Sequence, residues 1–439
     1  MHRLEAALRI FRPPRHCRRR SALSRPCEEK MTQALARAER PQTTIRSIAL
    51  VTSYGLSLPN FRGPLISALV ARGIHVYALA PDFDEKTRAA VIRLGAEAID
   101  ISMERTGMRP ARDFIDAVRL WKQLRQLKPD ATFSYFIKPV IYGSLAARFA
   151  GIPRRFAMVA GLGYVFTPDG TRETLKRRVL KVVASVLYKV AFSACRRVFF
   201  QNEDDVAQFV DAGLIDPDKV VRLNGTGVDL TALAVSPPIE SPPTFLLMAR
   251  LLREKGIYEY AAAARIVRSR HPEARFLLLG DVDPNPGGLS RDEVSDWVRD
   301  GIIEWLGHVD DVRPWIAQSS VYVLPSYREG KPRSTQEAMA VGRAVITTDA
   351  PGCRDTVIEG VNGFLVPVRD AQALAQAMLR FIEQPDLIAR MGHQSRVLAE
   401  ERFDVVKINA VILGELGLSP EVPMESATTG AIAPIPAQG

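Results

Sequence analysis

Two acidic side chains seven residues apart, Glu329 and Glu337, lie in the segment SYREGKPRSTQEAM. The segment follows the apolar run Ser320–Leu324, and it predicts a helix after Pro332 because proline is favoured in a first helical turn. Free amides at a helix start attract an anion such as a diphosphate. Carboxylates accept hydrogen bonds, which suits sugar and ribose hydroxyls. The segment therefore predicts a site for a phosphorylated, hydroxyl-rich ligand. The other residues of this segment expected to contact the ligand are Gly330, Ser334 and Thr335.

A simpler interpretation of the same residues is structural. Ser334 and Glu337 have the spacing of a capping box, which would only close a solvated helix end. The preceding buried strand, together with the cations described next, favours the binding interpretation.

Two cations follow the apolar run Thr244–Met248, in the segment ARLLREKG. Arg250 and Lys255 leave the carboxyl end of this predicted strand, and Gly256 allows a helix to start close by. A guanidinium and an ammonium group can offset the negative charge that develops on a diphosphate leaving group. A charged surface loop without a ligand is the alternative.

Three further turns carry weaker signals. The turn GHVDDV contains Val309, whose backbone could contact a base edge, and the turn APGCRD at 350–355 also follows a predicted strand. Asp281 and Asp283 form a D-x-D pair like that of metal-dependent enzymes. No cluster of further ligands accompanies this pair in the sequence, so we expect no metal site.

The elements that must position these residues alternate between short apolar runs and amphipathic stretches from residue 45 onward. Such βα alternation predicts an α/β fold with parallel sheets covered on both faces. Predicted strands of the first half are Ile48–Thr52, His75–Ala80, Ala131–Ser134, Phe156–Val159, Val198–Gln201 and Val220–Leu223. Predicted helices there include Phe61–Ala71, Phe114–Gln126 and Glu203–Ala212.

A proline-rich linker at 224–243 interrupts this rhythm, which then resumes. Predicted strands of the second half are Thr244–Met248, Phe276–Gly280, Ile302–Leu306, Val321–Leu324, Ala344–Thr347 and Phe364–Val366, followed by helices near 371–383, 386–400 and 404–416. Two doubly wound domains result, and ligands bind at the carboxyl ends of such sheets. The expected boundaries are a basic disordered tail at 1–44, domains at 45–223 and 244–400, a closing helix at 401–417 and a disordered tail at 418–439.

Composition excludes several classes of protein. The chain has 439 residues, which suits two domains. Its four cysteines include no C-x-x-C pair, so neither a disulfide scaffold nor structural zinc is expected, and a cytoplasmic location is the default. The formal net charge of +10 is concentrated in residues 1–44 and 171–197. Neither patch carries a base-reading motif, so no nucleic-acid partner is expected.

The N-terminal tail has no apolar core long enough for a signal peptide, and no apolar run reaches the length of a membrane span. Met31 is an alternative to Met1 as the start. Residues 171–194 instead predict a basic amphipathic helix that could lie on an anionic membrane. Its apolar stripe is Leu175, Val179, Val182, Val183, Val186, Leu187 and Val190, and its cations are Arg177, Arg178, Lys181 and Lys189. Packing of this helix on the sheet is expected to cover most of the valines.

Over residues 46–416 the sequence resembles the family 4 retaining glycosyltransferases. Motifs of the second half carry the resemblance: ARLLREKG, GHVDDV, PSYREG, EAMAVGR, TDAPGCR and NGFLVP. The first-half segments NFRGPL, IKP, YGS and GLGY resemble the polysaccharide-assembly branch, which adds sugars to acceptors linked to undecaprenyl diphosphate. The resemblance implies a GT-B fold, two Rossmann-like domains that face each other across a cleft.

The resemblance also implies roles for particular residues. Arg250 and Lys255 would hold the donor diphosphate, Glu329 would contact the donor sugar, and Glu337 would bind the ribose. The turn Ser53–Leu58 would approach the phosphates from the first domain. Its glycine is Gly55, and the residues expected near the acceptor or the sugar are Gly161, Tyr164 and Lys138.

Two positions depart from the family pattern. Many relatives have a histidine near the reacting sugar, whereas Met158–Gly161 contains none, and Asp355 stands where a longer glutamate is common. A transfer that retains configuration can use the donor's own phosphate oxygen as base, so positioning and charge stabilisation suffice.

The predicted function is therefore transfer of a hexose or N-acetylhexosamine from a UDP-sugar, without a cofactor or metal, to an undecaprenyl-diphosphate-linked saccharide. This function predicts a peripheral enzyme on the inner face of the plasma membrane, in capsule or exopolysaccharide synthesis. A UDP-sugar 2-epimerase of the same architecture remains an alternative. A dinucleotide oxidoreductase is disfavoured because Ile48–Gly55 lacks the G-x-G-x-x-G turn.

Overall fold

The computed structural model describes residues 45–104, 109–162, 175–239, 241–283, 285 and 287–418. The predicted tails, 1–44 and nearly all of 418–439, lie outside these ranges, and so does Tyr164. Side chains are described only from Arg178 onward in the helix that begins at Leu175, so Leu175 of the predicted stripe and the predicted cation Arg177 fall outside as well.

Seven parallel strands form the first sheet, in the order β3-β2-β1-β4-β5-β6-β7. Apolar runs form its centre because helices cover both faces; β1, for example, is buried from Ile48 to Val51. The strands are β1 (Ser47–Val51), β2 (His75–Ala80), β3 (Glu97–Asp100), β4 (Ala131–Tyr135), β5 (Arg154–Val159), β6 (Arg197–Phe200) and β7 (Val220–Arg222). The helices are α1 (Ser57–Ala71), α2 (Glu85–Arg93), α3 (Pro110–Leu127), α4 (Ser144–Phe149), α5 (Leu175–Ala194) and α6 (Glu203–Asp211).

Six parallel strands form the second sheet, in the order β10-β9-β8-β11-β12-β13. The strands are β8 (Thr244–Met248), β9 (Arg275–Leu279), β10 (Glu304–Gly307), β11 (Val321–Leu324), β12 (Ala344–Thr348) and β13 (Gly363–Val366). The helices are α7 (Ile257–Arg268), α8 (Arg291–Arg299), α9 (Arg313–Ala317), α10 (Arg333–Ala340), α11 (Ala371–Glu383), α12 (Asp386–Arg402) and α13 (Val405–Leu416).

The predicted α/β class with two doubly wound sheets is confirmed. Every predicted strand is present, with ends that differ by at most two residues. The sequence patterns missed β3, because the two ends of this short edge strand are exposed, its two middle residues are only half-buried, and it has no long apolar run. In both sheets the strand order reverses beside the first strand, so the crevice for a ligand lies at the carboxyl ends of β1 and β8.

The last helix, α13, packs against the first sheet, which contains the first strand of the described chain. It follows α12 of the second domain, yet its apolar side chains belong to the core of the first domain. These side chains are Ile408, Ile412, Leu413 and Leu416, which pack in one cluster with residues of β1, β2 and β4. The predicted closing helix therefore crosses back to the first domain.

We expect Ile412→Ala to destabilise the protein by about 2–5 kcal/mol, because the side chain is fully buried and its removal leaves a cavity. The adjacent Val411→Ala is the matched control: its side chain is 44% exposed, and the change should stay within about 0.5 kcal/mol. Urea unfolding followed by circular dichroism measures both. Equal losses from the two variants would contradict the packing of α13 described here.

Candidate active site in the interdomain crevice

The loop between β11 and α10 carries Glu329 to the crevice, as the sequence predicts. Its carboxylate pairs with Lys255, with 2.5 Å between Oε1 and Nζ, and both side chains are about 15% exposed. Lys255 reaches this point from the turn after β8, which ends at Gly256 with a φ of 71°. A side chain on Gly256 would collide with the backbone of Pro325, so glycine is needed there.

Arg250, the second predicted cation, is held by an acidic partner. Its Nη1 lies 2.7 Å from Oδ2 of Asp283. Burial alone would raise the pKa of Asp283, but hydrogen bonds from Asn285 and Arg250 bring that pKa below its usual value. The D-x-D pair is thus occupied by arginines, since Asp281 pairs with Arg291 at 3.1 Å. Among the described residues no cluster of three metal ligands occurs, and the absence of a metal requirement stays a prediction.

Helix α10 begins at Arg333 and presents its amino end without a side-chain cap. Pro332 occupies the capping position and offers no side-chain acceptor for the first amides. The capping-box interpretation is wrong, because Ser334 and Glu337 have other partners. The Tyr322 hydroxyl donates to Oγ of Ser334 at 2.6 Å, and Glu337 pairs with Arg333 at 2.8 Å. An uncapped helix start of this kind can receive an anion.

The first domain contacts this loop directly. Gly161, at a φ of 124°, lies against Gly330: a side chain on Gly161 would come within 3.5 Å of the Gly330 amide nitrogen. A side chain on Gly330 would meet the carbonyl oxygen of Ala160 at 2.5 Å. The structure therefore brings together two glycines that the sequence assigned to opposite sides of the cleft.

The other predicted contacts of the first domain have partners of their own. The Gly55 amide donates to Oδ1 of Asp82 at 2.6 Å, so a phosphate there would compete with this carboxylate. Lys138 forms a buried ion pair with Asp113 of α3 at 2.7 Å. Gly55 and Lys138 are thus engaged within their own domain.

The remaining predicted positions lie around the loop in the second domain. Thr335 is fully buried in the first turn of α10. Val309 is half-buried and packs against a hydrophobic cluster of the second domain. The next residue, Asp310, forms an exposed ion pair with Lys86 of the first domain. Asp355 faces Lys331, with 3.5 Å between Oδ2 and Nζ.

Arg333 and Arg62 were missed from sequence, and so was the pairing of Asp283 with Arg250. Arg333 could have been found, because its spacing of four residues to Glu337 is the helical ion-pair spacing. Asp283 lies 33 positions from Arg250, and no local pattern links the two. Arg62 is fully buried against the rings of Tyr135 and Phe133, and burial lowers its pKa to about 10. This guanidinium therefore stays charged at neutral pH, and the charge of Arg333 on α10 lowers its pKa further.

The chain is similar to known proteins along most of its length. Residues 242–384 match the family model described as glycosyl transferases group 1. A protein of Campylobacter jejuni named N,N'-diacetylbacillosaminyl-diphospho-undecaprenol alpha-1,3-N-acetylgalactosaminyltransferase is 28% identical over 77% of this chain and 90% of its own length. An Escherichia coli protein named UDP-Gal:alpha-D-GlcNAc-diphosphoundecaprenol alpha-1,3-galactosyltransferase is 25% identical over 67% of this chain and 77% of its own length.

Two solved structures share the fold. Anabaena HepE in complex with UDP and glucose superposes with a TM-score of 0.66 at 18% identity, over 85% of this chain and 100% of the other. Sucrose-phosphate synthase from Thermosynechococcus elongatus gives a TM-score of 0.69 at 20% identity, over 85% of this chain and 98% of the other.

We expect Glu329→Ala to lower kcat/KM by about 10²–10³-fold, because it removes the carboxylate that is predicted to contact the donor sugar. The variant also leaves the 16% exposed Lys255 side chain without its carboxylate partner, so we expect a lower melting temperature, and turnover is measured below the unfolding transition. Glu254→Ala, a change to a neighbouring carboxylate, is the control and should keep wild-type turnover. Near-native turnover of Glu329→Ala would remove Glu329 from the site.

Proposed function

We propose that this chain, a group 1 glycosyltransferase with the GT-B fold, moves a hexose or N-acetylhexosamine from a UDP-sugar to a saccharide linked to undecaprenyl diphosphate. The transfer retains the anomeric configuration and serves bacterial surface polysaccharide synthesis. One observation carries the proposal: Lys255, Glu329 and the uncapped start of α10 meet at the interdomain crevice.

The donor site follows from the charges of these groups. Lys255, Arg250 and the amides of α10 offset the two negative charges of the diphosphate in a nucleotide sugar, without a metal ion. Glu329 lies beside Lys255 and can accept a hydrogen bond from a sugar hydroxyl next to the phosphate. Glu337 lies one helical turn beyond the start of α10. In this proposal its carboxylate accepts hydrogen bonds from the ribose hydroxyls.

The chemical step needs no protein base. The acceptor hydroxyl oxygen bonds to the anomeric carbon on the face that the diphosphate leaves, and the bond from that carbon to the phosphate oxygen breaks. The hydroxyl proton passes to a phosphate oxygen of the departing UDP. The residues named above hold the donor and stabilise the charge that accumulates on UDP.

The acceptor class rests on the two relatives, whose names place their acceptor sugars on undecaprenol diphosphate. Both relatives are transferases by name, and neither name supports an epimerase. A nucleotide sugar as donor is also consistent with the UDP and glucose in the HepE complex.

Helix α5 supports contact with an anionic membrane. The expectation that packing covers its valines is wrong: Val179, Val182 and Val186 are each more than half exposed. The side packed on the sheet is formed by other residues, namely Ala184, Tyr188, Ala191 and Phe192.

Exposed Lys181 and Lys189 accompany these valines. Apolar side chains flanked by cations are typical of helices that lie in a lipid interface. No helix in the described ranges is long and apolar enough to cross a bilayer. We therefore propose peripheral binding through α5, on the leaflet that holds the lipid-linked acceptor.

A panel of nucleotide sugars in a thermal-shift assay should single out UDP-sugars. The selected donor should then be consumed only when a sugar linked to undecaprenyl diphosphate is added, with UDP release as the readout. Stabilisation by a different nucleotide, or a product sugar isomer formed from the donor alone by NMR, would overturn the proposal.

The double variant Val182→Glu/Val186→Glu should lower binding to vesicles that contain anionic lipid by about tenfold or more, through lost apolar contact and charge repulsion. Both positions are exposed, so the melting temperature should stay near that of the wild type. The control is Val406→Glu, an exposed valine on α13. Unchanged vesicle sedimentation of the double variant would exclude α5 as the membrane contact.

A further inference from the structure

The loop that carries Glu329 is hydrogen-bonded to the first domain through the two residues that flank Glu329, Arg328 and Gly330. Arg328 donates to Oδ1 of Asp205, and it also donates to Oε1 of Gln208 at 3.1 Å. Both acceptors belong to α6, Asp205 to its first turn and Gln208 to its second half. The side chains of Arg328 and Asp205 are only 12% and 1% exposed, so this ion pair is nearly shielded from water.

Asn202 holds the loop from the other side of Glu329. Its Oδ1 accepts the Asp205 amide at 2.7 Å and thereby caps α6. Its Nδ2 donates to the Gly330 carbonyl at 2.6 Å. One side chain thus fixes the end of a first-domain helix and the backbone of the second-domain loop.

We name the group formed by Asn202, Asp205, Arg328 and Gly330 the interdomain clasp. Gly330 allows no side chain at this contact, because a Cβ there would lie 2.8 Å from Oε1 of Gln201. The contact is therefore close on the backbone as well as on the side chains.

Burying the ion pair of the clasp has a large desolvation cost. Nε of Arg328 and Oδ2 of Asp205 are both buried and have no hydrogen-bond partner among the described residues. Burial raises the pKa of Asp205 in spite of the pull of Arg328 in the opposite direction. A buried ion pair of this kind contributes little net stability compared with apolar groups of similar volume. Stability alone therefore does not account for this ion pair.

We propose that Asn202, Asp205 and Arg328 are positioning residues for transfer: through the clasp they fix Glu329 against the first domain, so that donor and acceptor are aligned. This inference rests on the proposed function, because it takes Glu329 as the contact to the donor sugar. UDP itself is held by groups of the second domain, namely Arg250, Lys255 and α10. The clasp therefore governs the catalytic step rather than nucleotide affinity.

The test is the double variant Arg328→Met/Asp205→Asn, which removes both charges and leaves no buried ion unpaired. We expect its melting temperature to equal or exceed that of the wild type, because the imperfect ion pair is gone. We expect kcat to fall about 10–100-fold, since a displacement of about 1 Å is that costly. The dissociation constant of UDP by calorimetry should change by less than about threefold, since the second domain supplies the charged groups that hold the diphosphate.

Lys86→Met is the matched control. It removes another ion pair between the domains, Lys86 with Asp310, in which both side chains are more than three-quarters exposed. This variant should keep wild-type kcat, because exposed pairs contribute little.

The possible outcomes separate the clasp from the proposed function. A wild-type enzyme that transfers no sugar would contradict the function, whatever the variants do. An active wild type with a double variant of unchanged kcat would overturn the clasp. So would a double variant that loses stability and UDP affinity together with activity, because that result shows a structural role only.

Discussion

The peptide between Glu329 and Gly330 must fit both domains at once, and the rest of the site depends on this constraint. On the side of the first domain it abuts the Ala160 carbonyl. On the other side the Glu329 amide donates to the Pro351 carbonyl at 3.0 Å, and Gly352, at a φ of 76°, leaves room for the loop. The direction of the Glu329 carboxylate is therefore set by backbone contacts from two sheets. A shift of either domain would move it.

The charges of the site follow from that arrangement. Arg250 and Lys255 each have a carboxylate partner, and a diphosphate would compete with Asp283 for Arg250. Cations that are held in place before a ligand binds lose little freedom when it arrives, which is the advantage of a preorganised site. Lys255 and Glu329 lie side by side. In the proposed site, Lys255 contacts the phosphate and Glu329 contacts the neighbouring sugar. Burial, with the charge of Glu329 beside it, raises the pKa of the nearby Cys353 thiol to about 12, and this group stays neutral among them.

The sequence predicted the two sheets, the existence of a closing helix, and Lys255 and Glu329 in one site, because each rests on a local pattern. It did not predict that the closing helix packs on the first domain. Apolar runs mark strands, and groups that follow parallel strands gather at one edge of a sheet. The sequence did not predict the partners of Arg250, Gly55 or Lys138. Each of these is a contact across tens of residues that depends on loop conformation. The same holds for Arg328 with Asp205, since two charges 123 positions apart carry no signal of contact.

Helix α5 shows why burial could not be read from its periodicity. Its valines repeat at helical spacing, but so do Ala184, Tyr188, Ala191 and Phe192, and only one of two such stripes can face the sheet. The second stripe packs on the sheet because its two large aromatic rings bury more apolar area than valines do. Tyr188 and Phe192 pack on each other and on Phe209 of α6, which also carries Asn202 and Asp205 at its start. The choice of face on α5 thus leaves the valines in solvent and, through Phe209, supports the helix that grips the Glu329 loop.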